Sequence, residues 1–181
     1  MSQESTTPAT IEDLGDGAVL FAGEICPLSA ARLVSTLRRM VAYGSSRIIL
    51  RLNSLGGCMH SGFQLYDHIA ELQAEEGLSF EAVAEGMVGS AAILPFLACD
   101  RRKAQPHAVF LLHEVRSKVC GELTLGRAKD DVAHAQLLMR YLVRILVKKT
   151  RMSRKQAVNY TARDSVLGSK LAKLLGIINT S

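Results

Sequence analysis

The sequence is poor in aromatic residues and contains no long hydrophobic run. It has no tryptophan, and aromatic residues make up only 5% of its 181 positions. A core must therefore be built mainly from aliphatic side chains, which fits a chain that is 48% hydrophobic. No apolar stretch reaches the roughly 18 residues of a membrane-spanning helix. Residues 1–16 also lack the basic and apolar segments of a secretory signal, so we predict a cytoplasmic protein without membrane contacts.

Cysteine is scarce as well, and no two cysteines form a Cys-x-x-Cys pair. The four cysteines are Cys26, Cys58, Cys99 and Cys120. Their wide spacing argues against a zinc site. Three of them lie in apolar stretches or beside glycines, where a reduced thiol packs as a small hydrophobic group. We therefore predict no metal ligands and no cofactor in this chain.

Acidic residues are outnumbered by basic ones, which gives a formal net charge of +5. Much of the excess lies at Arg101–Lys103 and in residues 140–155. These basic residues do not alternate with aromatic residues, and no nucleic-acid recognition motif accompanies them. We interpret them as a solvated surface and predict no nucleic-acid partner. Four histidines beside polar residues are also expected at the surface: His60, His68, His107 and His134.

Strand-like and helix-like segments alternate along the chain, which favours parallel β-α-β units. Runs of continuous or alternating apolar residues predict strands over 17–25, 47–53, 78–86 and 108–115. Helical spacing predicts helices over 28–44, 58–76, 127–149, 153–161 and 169–176, a short helix opened by Ser90, and a strand-like end at 177–179. No internal repeat or linker divides this α/β pattern. We predict a flexible tail over residues 1–16 and one domain over residues 17–181.

Four features of this pattern are candidates for catalytic or ligand-binding roles. Ser90 lies between a strand and a helix and, taken alone, is typical of a helix N-cap. The glycine pair in NSLGG follows a buried strand, where its backbone could approach a ligand or simply form a tight turn. His113, in the apolar run AVFLLHEV, and Asp164, between two helices, could equally be structural. Together these features supply a nucleophile, a base, an orienting carboxylate and oxyanion donors, which are the parts of an acyl-transfer site.

Three segments resemble the ClpP family, the proteolytic subunits of ATP-dependent Clp proteases. NSLGGCMHSGFQLYDHI resembles the family's signature at its glycine-rich turn. EGMVGSAAILPFLACDRRKAQPHAVFLLHE is similar to the segment around its active serine and histidine, and TARDSVLGSKLAKLLGIIN is similar to its C-terminal segment. The resemblance runs from Val19 to Asn179, with the motifs in the family's order. It implies the ClpP/crotonase-like fold, a spiral of β-β-α units in a single domain with a protruding handle.

The resemblance also implies a serine endopeptidase with a Ser-His-Asp triad. Ser90 matches the nucleophile, His113 the general base and Asp164 the third member. The backbone N–H groups of Gly57 and Ala91 match the two donors of the oxyanion hole. In this scheme His113 takes the proton of Ser90 during attack and returns it to the leaving amine.

A substrate cleft and an assembly are implied by the same resemblance. Substrate contacts match Gly56, Val115, Val119 and Gly121. The segment Val119–Leu125 matches the handle, where an extended peptide adds beside a strand. We expect a homo-oligomer, either a heptameric ring or a double ring, that cleaves unfolded polypeptides. An AAA+ unfoldase of the Clp type is the expected partner, and ATP would act only through it.

Several positions depart from the family pattern. Ala162 replaces an acid that the family uses in an Asp-Arg pair linking assembly to activity, and residues 1–16 show no counterpart of the axial loop that engages the unfoldase. Pro95 lies inside the helix opened by Ser90, and it is expected to kink that helix if it lies beyond the first turn. Two alternatives therefore stay open: a non-catalytic ring subunit of the ClpP type, and a crotonase-like acyl-CoA enzyme on the same fold.

Overall fold

A mixed β-sheet forms the centre of the molecule. The computed structural model describes residues 9–75, 77–116 and 124–180, and within them the chain forms seven strands and six α-helices. The strands are β1 Thr10–Gly15, β2 Ala18–Ala22, β3 Arg47–Ser54, β4 Ser79–Gly89, β5 Arg101–Ala104, β6 Val109–Leu112 and β7 Ser165–Gly168. The helices are α1 Pro27–Ala42, α2 Met59–Glu75, α3 Ile93–Ala98, α4 Leu125–Lys149, α5 Arg154–Thr161 and α6 Ser169–Leu174. A 3₁₀ turn at Ser90–Ala92 leads into α3.

The strand order confirms the predicted α/β class and its parallel units. Six strands follow one another in the order β1-β2-β3-β4-β6-β7, and β5 pairs with β4 beside this path. β2, β3, β4 and β6 are mutually parallel. The edge strands β1 and β7 run antiparallel to β2 and β6. α1 and α2 connect successive parallel strands, as the alternating pattern predicts.

β4 changes its neighbour halfway along its length. Its first half, Glu81–Ala84, pairs with β5, and its second half, Met87–Gly89, pairs with β6. Gly86 lies at the change with a φ of +79°, and Asn53 Oδ1 accepts a hydrogen bond of 3.0 Å from the Met87 N–H. The register between β3 and β4 shifts at the same place. As a result, the carboxyl ends of β3, β4 and β6 lie together at one edge of the sheet.

The core is mainly aliphatic, as the composition predicts, but phenylalanines lie at its centre. Phe21, Phe80, Phe96 and Phe110 are fully buried. Phe96 of α3 packs edge-to-face on Phe110 of β6, with ring centroids 5.2 Å apart. This contact holds the helix that follows Ser90 against the strand that precedes His113.

The prediction of a flexible tail over residues 1–16 is wrong for its second half. Thr10–Gly15 forms β1, which pairs antiparallel with β2 in a hairpin. Gly15, Asp16 and Gly17 all have positive φ values, which suit the tight turn between the two strands. Most of the side chains of β1 are exposed, so backbone pairing stabilises it without an apolar pattern in the sequence. Residues 1–8 lie outside the described part of the chain.

The long helices agree with the predicted segments, and so do the apolar strands β2, β3, β4 and β6. β5 and β7 have no counterpart in the prediction, because their short sequences, RRKA and SVLG, show no apolar run or alternation long enough to indicate a strand. Residues 177–179, expected to be strand-like, do not form a strand.

Pro95 is the third residue of α3, within the first turn, where proline is tolerated. In the described ranges, no helix is long and apolar enough to cross a membrane.

His68 is buried in α2, so its predicted surface position is wrong. The other three histidines of that group are exposed. His68 lies three residues from Leu65 and four from Leu72, and helical geometry therefore puts it on the same buried face. Its Nδ1 lies 3.2 Å from Glu71 Oε2, which supplies a polar contact at the edge of that face.

Arg102 joins three distant segments through its buried guanidinium. It donates hydrogen bonds to the carbonyl oxygens of Cys99 at 2.9 Å, Lys149 at 2.7 Å and Ile177 at 2.8 Å. A longer hydrogen bond of 3.2 Å reaches the Gly176 carbonyl. Burial lowers the pKa of Arg102, but these acceptors satisfy its donors. The ends of α3 and α4 and the C-terminal segment are therefore held by one side chain.

Candidate active site

The candidate catalytic residues gather at one edge of the sheet. The glycine turn at residues 55–58 follows β3, Ser90 follows β4, and His113 follows β6. Asp164 directly precedes β7, which runs antiparallel to β6. Parallel strands present their carboxyl ends at the same edge, and an antiparallel neighbour presents its amino end there. All four segments therefore meet, at the edge where open α/β sheets commonly bind ligands.

Gly56 lets the turn after β3 touch the segment around Ser90. Its φ is +102°, a conformation that favours glycine. A Cβ atom at this position would lie 2.6 Å from both the Gly89 carbonyl oxygen and Ser90 Cβ, and 2.9 Å from the Ala91 nitrogen. These distances are shorter than real side-chain contacts allow. The backbone of the turn therefore lies directly against the start of the 3₁₀ turn.

Gly57 is held in place by a short parallel bridge to Ile25. The Ile25 N–H donates to the Gly56 carbonyl at 2.8 Å, and the Cys58 N–H donates to the Ile25 carbonyl at 2.7 Å. This pairing does not use the Gly57 N–H. The Ala91 N–H belongs to the first turn of a helical segment, where backbone donors have no acceptor in a preceding turn. The Ala91 N–H directly follows Ser90, and the Gly57 N–H belongs to the residue after Gly56, which contacts Ser90.

Ser90 has a strained backbone and does not cap the helix through its side chain. Its φ is +53°, and only Asp16 shares a positive φ among the described non-glycine residues. The cap position of the 3₁₀ turn is Gly89, and no side-chain hydrogen bond caps it. A non-glycine residue in this region costs about 1–3 kcal/mol. Serine nucleophiles on other α/β folds occupy a similarly sharp, strained strand-to-helix turn.

His113 and Asp164 lie one position beyond the paired ends of two neighbouring strands. In the β6–β7 ladder, Leu112 pairs with Ser165, so the next positions are His113 and Asp164. Facing residues of an antiparallel pair have Cβ atoms about 4.5–5.5 Å apart. His113 and Asp164 therefore lie side by side at the end of the β6–β7 ladder.

The hydrogen bonds of a complete triad are not formed in this conformation. Both carboxylate oxygens of Asp164 accept from Arg116 Nη2 at 2.7 Å, in an exposed ion pair. His113 Nδ1 is buried, and no described residue hydrogen-bonds to it. Within the described ranges, no hydrogen bond joins Ser90 to His113 or His113 to Asp164. The structure places the three predicted residues at one edge of the sheet and pairs Asp164 with Arg116.

A cavity of about 620 Å³ opens beside His113, between α4 and α5. Glu114 and Val115 form the wall next to His113, and the Val115 N–H contacts Met139 Sδ at 3.3 Å. Further along, Ala162 lines the cavity two residues before Asp164. The cavity is large enough for an amino-acid side chain, and the predicted substrate residue Val115 lines it.

Of the other three predicted substrate-binding residues, the structure describes only one. Gly56 lies against Ser90, as described above. Val119 and Gly121 lie outside the described residues. The sequence also gave no signal for Arg116 or Met139, which shape the site through contacts with residues 48 and 24 positions away.

The model of the Clp protease family matches residues 4–180 of the chain. The chain belongs to the Clp protease family. Among solved structures, it is similar to an asparagine-to-aspartate mutant of ClpP1 from Listeria monocytogenes. The two share 24% sequence identity over 90% of this chain and 89% of that chain, with a TM-score of 0.79. This similarity confirms the predicted ClpP fold, and the family match confirms the sequence resemblance.

Proposed function

We propose that this Clp protease family member is a cytoplasmic serine endopeptidase that cleaves unfolded polypeptides. The observation that carries the proposal is the strained Ser90, which lies against the glycine turn at Gly56. Strain at a non-glycine residue persists only where the surrounding structure enforces it, and it is common at active sites. Ser90 is also the residue on which the family's nucleophile falls.

In the proposed reaction, Ser90 Oγ attacks the carbonyl carbon of the peptide bond while His113 accepts its proton. The Gly57 and Ala91 N–H groups stabilise the oxyanion, and each such donor contributes about 3 kcal/mol to lowering the barrier. His113 then donates the proton to the leaving amine, which leaves an acyl group on Ser90. Water, deprotonated by His113, releases the acyl group and regenerates the serine.

Asp164 has to leave Arg116 before it can orient His113. The unpartnered His113 Nδ1 is the atom to which a triad carboxylate binds, because an Nδ1–H donor fixes the tautomer that leaves Nε2 free as a base. Catalytic hydrogen bonds are often unformed before substrate binds. We infer that substrate binding or assembly favours the Asp164–His113 hydrogen bond over the exposed ion pair.

The cavity beside His113 is the proposed pocket for a substrate side chain. Val132, Met139 and Val143 of α4 give it an apolar wall. Glu114, Arg140 and Arg154 add charge at its lining. We expect a preference for a large apolar residue next to the scissile bond, because burying such a side chain contributes about 1.5–3 kcal/mol.

A homo-oligomeric ring and a Clp-type AAA+ unfoldase are the proposed partners. Rings are the assembly implied by family membership. Several apolar residues of α4 are also exposed in the single chain, namely Leu125, Val132, Tyr141 and Val147. A neighbouring subunit would bury part of this surface. ATP would be used by the unfoldase, since this chain is proposed to need no cofactor for hydrolysis.

The proposal is tested by measuring hydrolysis of fluorogenic peptides by the purified protein and its Ser90→Ala variant. We expect Ser90→Ala to lower kcat by at least about 1,000-fold, since the nucleophile is lost. Ser35→Ala is the matched control, because Ser35 is an exposed residue of α1 outside the proposed site, and this variant should retain wild-type activity. Equal rates for the wild type and Ser90→Ala would contradict the proposal.

A non-catalytic ring subunit is the second candidate, and the Arg116–Asp164 ion pair is the observation that favours it. In such a subunit Asp164 would be held permanently away from His113. It would assemble with an active relative and show no hydrolysis by itself. Wild-type protein that forms rings but cleaves no peptide, alone or with an unfoldase, would support this candidate.

A further inference from the structure

Two histidines from distant parts of the chain meet outside the catalytic cluster. His60 lies in the first turn of α2, and His134 lies in α4, 74 residues further along. Their Nε2 atoms are 3.0 Å apart. The two rings are nearly parallel, at 17°, with centroids 5.0 Å apart. Because the nitrogens are much closer than the ring centres, the Nε2 atoms point toward each other.

This geometry can direct the lone pairs of His60 Nε2 and His134 Nε2 toward the same small space between the two rings. A neutral imidazole with its proton on Nδ1 has a lone pair on Nε2, and such a nitrogen is a common ligand of transition metals. An ion bound at about 2.0–2.1 Å from two imidazole nitrogens, in tetrahedral or octahedral geometry, holds them about 2.9–3.4 Å apart. The observed separation lies within that range. Binding would therefore need little movement of either helix.

The surroundings of the pair are open and can admit a hydrated ion. Both histidines are exposed, and both line a cavity of about 240 Å³. Asp131, one turn before His134 on α4, lines the same cavity and adds negative charge. Arg116 also lines it, but its charge is balanced by the ion pair with Asp164.

The described residues supply two ligands rather than a closed site. No group of three or more His, Cys, Asp or Glu side chains in those ranges is arranged to hold an ion. Water would fill the remaining positions, as it does in open metal sites. Ions that favour imidazole, such as Zn²⁺, Ni²⁺ and Cu²⁺, fit this donor set, whereas Mg²⁺ favours oxygen ligands.

We propose that His60 and His134 form a two-histidine site for a transition-metal ion that links α2 to α4. His60 is three residues beyond Gly57, so the ion would fasten the helix that carries the glycine turn to the long helix that lines the side-chain cavity. Neither histidine belongs to the proposed catalytic machinery, although Gly57 and Val115 line the same cavity, so metal binding is measured separately from hydrolysis. Metal binding only to the folded state would also raise the unfolding temperature.

The test is calorimetric titration of the full-length protein with ZnCl₂ or NiCl₂, with MgCl₂ as the ion that should not bind. We expect one ion per chain bound by the pair in the wild type. His60→Asn and His134→Asn should each weaken that binding by at least about tenfold, an effect of about 1.4 kcal/mol. The double variant should bind no more tightly than either single variant, because each single variant still keeps one imidazole ligand.

His107→Asn is the matched control, since His107 is exposed and lies outside the pair. It should bind Zn²⁺ or Ni²⁺ as the wild type does and show the same rise in unfolding temperature. Circular dichroism of the metal-free variants checks that all of them fold. Equal affinity in the wild type and both single variants would overturn the proposal, as would no binding by the folded wild type at millimolar Zn²⁺ and Ni²⁺.

Discussion

At the scale of single residues, the missing side chain of Gly56 determines whether the turn after β3 can touch Ser90. A Cβ atom there would meet the backbone of Gly89 and Ala91, which cannot rotate away as a flexible side chain could. Gly57, the proposed second oxyanion donor, directly follows this contact in the chain. In the proposed mechanism, the close packing of backbone on backbone positions the oxyanion hole.

Replacement of Gly56 by alanine should separate these two segments. We expect Gly56→Ala to lower the free energy of unfolding by about 1–3 kcal/mol, as overpacking does, and to abolish most peptide hydrolysis. Gly126→Ala is the control, because a Cβ at Gly126 meets nothing within 4 Å. Thermal unfolding and peptide hydrolysis should show Gly126→Ala to be stable and active. Full activity of Gly56→Ala would refute this role for the turn.

In the proposed mechanism, Arg116 competes with His113 for the Asp164 carboxylate. Removing its charge should free Asp164 to orient His113, so we expect Arg116→Gln to raise kcat/KM for small peptides several-fold. Arg127→Gln, at an exposed position at the start of α4, should leave kcat/KM unchanged. A fall in kcat/KM for Arg116→Gln would show that the ion pair supports activity instead of opposing it.

The sequence predicts which residues lie at the candidate site, but it does not predict which side chains contact each other there. Ser90, His113 and the glycine turn each follow an apolar strand, and parallel strands end at one edge, so their proximity follows from the pattern. The Arg116–Asp164 pair cannot be predicted in this way. These two exposed side chains are 48 residues apart, and whether they pair depends on local geometry that has no signature in the sequence. The same limit applies to the His60–His134 contact.

At the scale of elements, long helices and buried strands could be predicted because their periodicity extends over many residues. β5 could not be recognised as a strand in the sequence because its residues, RRKA, are basic. The sheet accommodates these residues because the buried carboxylate of Glu81 on β4 contacts Arg47 at 3.0 Å, Arg101 at 3.3 Å and Lys103 at 3.0 Å. Burial raises the pKa of Glu81, but hydrogen bonds and charge from Lys103 and Arg47 outweigh it, so the pKa is lowered. Charge pairing between strands has no periodic signature in a single sequence.

Arg102 is the single side chain on which the packing of three elements depends. We expect Arg102→Met to lower the free energy of unfolding by at least about 3 kcal/mol, because the carbonyls it satisfies would be left without donors. Urea unfolding would measure this loss. The exposed Arg32 on α1 provides the control, since Arg32→Met should change stability by less than about 0.5 kcal/mol. A similarly small change for Arg102→Met would contradict its role.

At the scale of the whole molecule, the fold follows from the alternation of strands and helices, whereas the assembly does not. The apolar residues exposed on α4 are the feature of the single chain that a ring would explain. We expect light scattering at micromolar concentration to give the mass of a multi-subunit ring. A monomer under these conditions would contradict the proposed assembly while leaving the fold unaffected.

The central claim is that Ser90 is a nucleophile activated by His113. Labelling of the assembled protein with a fluorophosphonate, followed by mass mapping of the modified peptide, tests it most directly. We predict one adduct, on Ser90, and its loss in His113→Asn. The claim would be contradicted if the folded, assembled wild type carried no adduct on Ser90, or if His113→Asn labelled Ser90 as fast as the wild type.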